Sequence, residues 1–180
     1  MMEGNPFLNK NYDLINNSSY FTIQNKILFS SSQSKIISCL DTKSIKLRIG
    51  GANTIGPYSF ACCKAKEIVI EPSVKVIEER AFNNACIERI VLPDSLVEIK
   101  QYAFEMCLNL SEITIPSSTR IIGDCAFWGC LNRVIINSRD IKIGRDAFHS
   151  DKLSKIIVPR GCLDYYRSIL PNYSSIIEEQ

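Results

Sequence analysis

The sequence predicts a solenoid of five coils, each about 22 residues long, stacked so that one strand per coil joins a parallel sheet on one face. Three observations carry this reading. Small-residue–Phe pairs end at Phe60, Phe82, Phe104, Phe127 and Phe148, at spacings of 22, 22, 23 and 21 residues. An isoleucine precedes each Phe by five positions (Ile55, Ile77, Ile99, Ile122, Ile143), and a small residue precedes it directly (Ser59, Ala81, Ala103, Ala126, Ala147). Each copy then contains a short aliphatic run: EIVI (67–70), RIVL (89–92), EITI (112–115), RVII (133–136) and KIIV (155–158).

The elements follow in chain order. Residues 1–19 are rich in Asn and Ser without periodicity, and read as a loose arm. Residues 20–180 read as one domain. In 20–54, β-rich segments near 21–24, 27–30 and 35–40 are separated by Asn25-Lys26 and by Ser31-Ser32-Gln33-Ser34, both turn signals. They predict a β-meander cap leading into a partial repeat at Ile45–Ile49. Residues 55–158 hold the repeats. Each supplies a strand, a turn, a second short extended piece and one helical turn. Pro72, Pro93, Pro116 and Pro159 end four of the five strands, because proline lacks a ladder N–H. A cysteine follows Phe by three or four positions in the first four copies (Cys63, Cys86, Cys107, Cys130), and these read as one core column. In 159–180, Leu163, Tyr166, Ile169 and Leu170 share a helical face and Pro171 ends the helix, a short cap over Phe148 and Leu153.

The pattern I-x-x-x-A-F-x-x-C-x-x-L-x-x-I-x-I-P resembles the BspA-type leucine-rich repeats. The fullest copies are IKQYAFEMCLNLSEITIP (99–116) and IIGDCAFWGCLNRVIIN (121–137), and the resemblance spans about residues 20–173. Copies one, four and five depart locally: Lys64-Ala65-Lys66 lacks the Leu, Asn137 replaces Pro, and the fifth lacks Cys. The resemblance implies a leucine-rich-repeat solenoid with a hairpin cap before the repeats and a terminal unit after them. It also implies a surface antigen or adhesin-like protein of a bacterium or parasitic protist, contacting host or matrix proteins.

Bulk composition narrows the remaining choices. Hydrophobic residues make up 46% and charged residues 22%, with a net charge of +2. Such a balance argues against a nucleic-acid footprint, which needs clustered Lys and Arg. No apolar run approaches the roughly 18 residues of a membrane helix. The start, MMEGNPFLNKNYDLINN, lacks a basic segment followed by an apolar core, so no classical export signal is expected. The residues alone therefore point to the cytoplasm, and the resemblance to the cell surface. Eight cysteines in a chain long enough to need no staples read as reduced, buried thiols.

Chemistry is hard to place. The single histidine, His149, follows Phe148 at a position held by Ala61, Asn83, Glu105 and Trp128 in other copies, and a general base needs a positioned partner. Cys62-Cys63 and Cys125-x4-Cys130 follow the coil period rather than the paired spacing of a zinc site. No enzyme activity, cofactor or metal is expected.

Surface rows remain. Alternation along the strands turns outward Glu67, Val69 and Glu71; Arg89, Val91 and Pro93; Glu112, Thr114 and Pro116; Arg133, Ile135 and Asn137; Lys155, Ile157 and Pro159. One row, Glu67, Arg89, Glu112, Arg133, Lys155, alternates in charge except at its last step. It reads as a register-setting ladder. A second row, Val69, Val91, Thr114, Ile135, Ile157, is either a binding patch or simple strand preference. Trp128, the only tryptophan, should lie exposed beside Glu105 and His149, as a contact residue or flat over its neighbours. The expected function is a monomeric protein-binding module. Its candidate contacts are Val69, Val91, Thr114, Ile135, Ile157, Arg89, Arg133 and Trp128. An intracellular scaffold using the same face is the alternative.

Overall fold

The 22-residue period closes into a coil because its aliphatic positions can be buried only against the coils above and below. The computed structural model describes residues 20–180; the expected loose arm, residues 1–19, lies outside the described residues. The chain enters through a meander: β1 (Phe21–Gln24), β2 (Ile27–Ser30) and β3 (Lys35–Cys39), paired antiparallel. Asn25 and Lys26 turn the first hairpin with φ of 49° and 60°, the left-handed pair that matches strand twist.

β3 then pairs in parallel with β5 (Thr54–Ile55), and the sheet continues through β7 (Val76–Ile77), β9 (Glu98–Ile99), β11 (Ile121–Ile122) and β13 (Lys142–Ile143). These two-residue strands are the second extended piece of each coil. They form a parallel ladder of their own, so the coils are bonded on more than the one face the sequence suggested.

The longer strands make the other sheet face. β4 (Lys46–Ile49), β6 (Glu67–Ile70) and β8 (Arg89–Val91) form one group. β10 (Glu112–Ile115), β12 (Arg133–Ile136), β14 (Lys155–Val158) and β15 (Ile177–Glu179) form another. β4, the expected partial repeat, and β15, which was not expected, bring the five repeat strands to seven. The break falls between β8 and β10. Phe104 lies nine residues before Ile113, whereas Phe82 lies eight before Ile90 and Phe127 seven before Val134. The extra residue of coil three falls at this break, although β10 and β12, which differ by two residues in the same measure, pair in full. Pro116, which carries no N–H to donate back to the β8 coil as Asn137 does to Ile115 O, deepens the gap.

The segment around each Phe is not a helical turn. Residues two before Phe (Tyr58, Arg80, Tyr102, Cys125, Asp146) and two after it (Cys62, Asn84, Met106, Gly129) have φ between 53° and 80°. Each left-handed residue reverses the chain before a helical hydrogen bond can repeat. The freed N–H groups bond the next coil instead: Phe60 N to Ala81 O, Phe82 N to Ala103 O, Phe104 N to Ala126 O and Phe127 N to Ala147 O, at 2.7–2.8 Å. A third ladder of backbone bonds results.

Inside, the five Phe rings are buried and stack with centroids 4.9–5.8 Å apart. The cysteine column is corrected in one place. Ala85 N bonds Phe82 O just as Cys63, Cys107 and Cys130 N bond their own Phe carbonyls, so Ala85 fills the column and Cys86 stands half-buried beside it. Pro93, Pro116 and Pro159, expected outside, are buried where the chain turns inward after each strand.

At the far end, α1 (Leu163–Ile169) buries Tyr166, whose hydroxyl donates to Ser138 O at 2.7 Å. A 3-10 helix (Pro171–Ile176) then leads into β15, which lies parallel to β14. The register pairs Val158 with Glu179. A carboxylate thus stands in the column that elsewhere holds Ile49, Ile70, Leu92, Ile115, Ile136 and Val158. Glu179 reaches back to accept bonds from Gly161 N and Leu163 N, at 2.8 and 3.2 Å.

Candidate functional site

Strand register brings the predicted sheet residues together. Val69 lies beside Val91, and Thr114 beside Ile135 beside Ile157. The residues between them on each strand (Ile68, Ile70, Ile90, Ile113, Ile115, Val134, Ile136, Ile156, Val158) are buried, so the outward direction of the row follows from the pleat. Val91 is 51% exposed and Thr114 is exposed, whereas Val69, Ile135 and Ile157 are half-buried by neighbouring coils. The two most exposed members flank the break between β8 and β10. Extra residues bound the row. Arg48 pairs with Val69 at one end and Glu178 with Ile157 at the other. Arg48 follows from extending the repeat back into the Lys46–Ile49 strand. Glu178 does not, because periodicity stops after Val158.

The charged row is largely satisfied within the protein. Lys46 bonds Glu67 at 2.8 Å, Arg133 bonds Glu112 at 2.9 Å, and Lys155 reaches diagonally to Glu178 at 2.6 Å. The apparent like-charge step at Arg133 and Lys155 is therefore relieved by a strand that sequence periodicity does not show. The Lys46 ammonium, hydrogen-bonded to Glu67, holds that carboxyl below its usual range. Arg89 stands opposite Glu67. Arg133 is committed to Glu112, and its buried Nε has no hydrogen-bond partner.

Trp128 sits on the turn ladder, not on the sheet row. It is 40% exposed and stacks on His149 with centroids 6.1 Å apart. Next to it, Met106 N bonds Trp128 O, and Leu108 stands 56% exposed in the loop that carries the extra residue of coil three. Two coils away, Arg80 lies over the Tyr102 ring at 4.3 Å and bonds Glu105 at 2.7 Å; Glu105 also accepts from Asn83 at 2.8 Å.

The thiols behave as core groups. Cys107 Sγ donates to Phe82 O at 3.1 Å and Cys130 Sγ to Phe104 O at 2.9 Å. The Cys130 contact and burial push the Cys107 thiol well above its usual range. The hydrogen bond from Cys39 brings Cys63 down to about 7, while that contact and burial hold Cys39 up. Both lie in the buried core, where a reagent has no access. None of the eight cysteines, all within the described residues, is joined in a disulfide. Brief alkylation of the native protein should therefore label the half-buried Cys62, Cys86 and Cys125 first. Peptide mass spectrometry finding early label on Cys107 contradicts this arrangement. Among the described residues, no group of three His, Cys, Asp or Glu could hold a metal ion, and no helix is long and apolar enough to cross a membrane.

Comparison with known proteins agrees with this architecture. The model of the BspA type leucine rich repeat region matches in six copies, over residues 7–111 and 53–177. No curated protein matches the chain. Among solved structures, a leucine rich repeat protein of T. pallidum is 25% identical with a TM-score of 0.66, over 78% of this chain and 69% of that one. A leucine rich cell surface protein of Faecalibacterium prausnitzii is 24% identical with a TM-score of 0.76, over 84% of this chain and 42% of the other. Pneumococcal vaccine antigen PcpA is 23% identical with a TM-score of 0.62, over 78% and 36%. The chain thus spans less than half the length of the latter two, and those two likenesses concern the fold alone.

Proposed function

The chain belongs to the family of BspA-type leucine-rich repeat proteins, and from that premise we propose a non-enzymatic module that binds a protein partner through its long-strand face. The observation that supports this is the outward row of five β-branched side chains, Val69 beside Val91 and Thr114 beside Ile135 beside Ile157, in two paired groups edged by charges. Apolar groups side by side on a rigid sheet offer area without ordering cost, and the paired rim charges exclude mismatched partners. Arg89 and Arg133 form part of that rim. Trp128, on a separate ladder, would serve a second contact or none.

Two of the similar proteins, a cell surface protein and a vaccine antigen, favour display at a cell surface, with a host or matrix protein as partner. Free thiols favour the second reading, an intracellular scaffold, since oxidising compartments pair cysteines. Thiol titration of the protein isolated from its native cell, together with surface labelling, separates the two.

The test of the face is the double variant Val91→Lys, Ile135→Lys. It places two ammonium groups in the row without touching the buried columns. Capture of the native partner should fall at least about tenfold, the effect of losing ~1.4 kcal/mol, while the circular dichroism spectrum stays unchanged. A folded double variant that captures the partner undiminished assigns the contact elsewhere.

A further inference from the structure

Among the described residues, the charged side chains that point outward from the long strands are paired, with one exception. Lys46 is paired with Glu67, Arg48 with Glu71, Arg133 with Glu112 and Lys155 with Glu178, at 2.6–3.2 Å. Arg89 is exposed on β8, and among the described residues its guanidinium joins no ion pair and no hydrogen bond. The register explains this. Glu67, opposite Arg89 on β6, is taken by Lys46, and the Arg89 charge acts on it only behind that of Lys46. Glu112, the acid of the next coil, lies across the break between β8 and β10 and is bound by Arg133 from its other side.

The same strand carries the most exposed aliphatic side chain of the outward row. Val91, 51% exposed, points to the same side as Arg89, because Ile90 between them turns inward and is buried. A guanidinium without a partner and an exposed apolar group therefore stand about 7 Å apart along one rigid strand.

Resting on the reading of this face as a binding surface, we infer that it takes an extended acidic segment of a protein partner. The order is carboxylate, any residue, aliphatic, with the carboxylate on Arg89 and the aliphatic group on Val91. Three arguments select this occupant. Alternate side chains of an extended chain are also about 7 Å apart on one side, so both contacts form without bending the segment. A guanidinium accepts a carboxylate through two parallel hydrogen bonds and is weakly hydrated, so it gives up water more readily than an ammonium group. The other segment chemistries fit worse. A purely apolar segment would bury the Arg89 charge without compensation, and a basic one would meet it with the neighbouring acids already engaged.

Two synthetic peptides test this by fluorescence anisotropy with the folded full chain. One has Glu-Thr-Leu at its centre, and the other is identical except for Gln in place of Glu. The Glu peptide should bind at least about tenfold more tightly, and the preference should shrink as salt is raised. Arg89→Gln should remove the preference, and Arg89→Glu should transfer it to a peptide with Lys at that position. Both variants should keep the parent circular dichroism spectrum, since Arg89 is exposed. Equal binding of the two peptides by the parent protein, no binding of either, or a preference that survives Arg89→Gln overturns the inference. Failure of the face itself is a separate result, read from undiminished capture of the native partner by the Val91→Lys, Ile135→Lys variant.

Discussion

Phe104→Ala lowers the unfolding free energy by about 3–5 kcal/mol, the largest loss expected from any single truncation in the chain. Phe104 is fully buried at the centre of the ring stack, with centroids 4.9 Å from both Phe82 and Phe127 and interplanar angles of 3° and 2°. Removing it deletes one ring and takes a contacting face from two others. The surroundings cannot collapse into the space, because each coil is fixed by backbone ladders on several sides. The location adds to the loss. Between coils two and three the long-strand ladder is interrupted, so cohesion there rests on the short-strand sheet, the turn ladder and the Phe82–Phe104 contact. Urea denaturation of the two proteins checks this, and the variant should also unfold less cooperatively, as two partly independent stacks. Phe148→Ala should cost less, since Phe148 has one ring neighbour, at 5.8 Å. A loss below ~1 kcal/mol at Phe104 would contradict the ring stack as the main tie between coils.

Gly123→Ala costs about 1–3 kcal/mol for the opposite reason, the insertion of one carbon. A Cβ at Gly123 would lie 2.4 Å from Gln101 N, 2.8 Å from Lys100 C and 2.9 Å from Gln101 Cα, all backbone of the preceding coil. No side chain can rotate away. The coils must part, against the bond from Gly123 N to Ile99 O at 2.8 Å. The equivalent positions are Gly56, Glu78, Lys100 and Gly144, so coils two and three follow a path that admits a Cβ; the cost is that of moving coil four onto it. Thermal unfolding should show a clear fall in midpoint for Gly123→Ala. An unchanged midpoint would show that the coil spacing at this corner is slack.

Most of this architecture is legible in the sequence because a solenoid repeats its physics. Phe at near-constant spacing reports the stack, and alternation within EIVI or EITI reports the buried columns. The meander is equally plain, since Asn25-Lys26 is a turn signal between aliphatic runs. What escaped has a physical cause in each case. Left-handed residues flanking Phe include Tyr, Arg, Cys, Met and Asp, types that carry no conformational label, so the segment reads as helical from sequence. Cys86 matched a pattern tolerant of one residue, and only the Ala85 hydrogen bond fixes the register. β15 follows a helix and a proline, outside the period, and its absence from the sequence reading left Lys155 without its partner Glu178. The candidate face was legible as a row, whereas the unequal exposure along it depends on the break beside Val91, which the period does not show.

Glu179 has a consequence for how copies of this molecule meet. End-to-end polymerisation of a solenoid requires adhesive surfaces at both ends, so disabling one is enough to stop fibre growth. A second molecule docking on β15 would have to bury a carboxylate where every preceding turn buries an aliphatic group, and would break its bonds to Gly161 and Leu163. A single acid in register with Val158 thus places a charge at the β15 end of the aliphatic column, and any strand added there carries the cost of burying it.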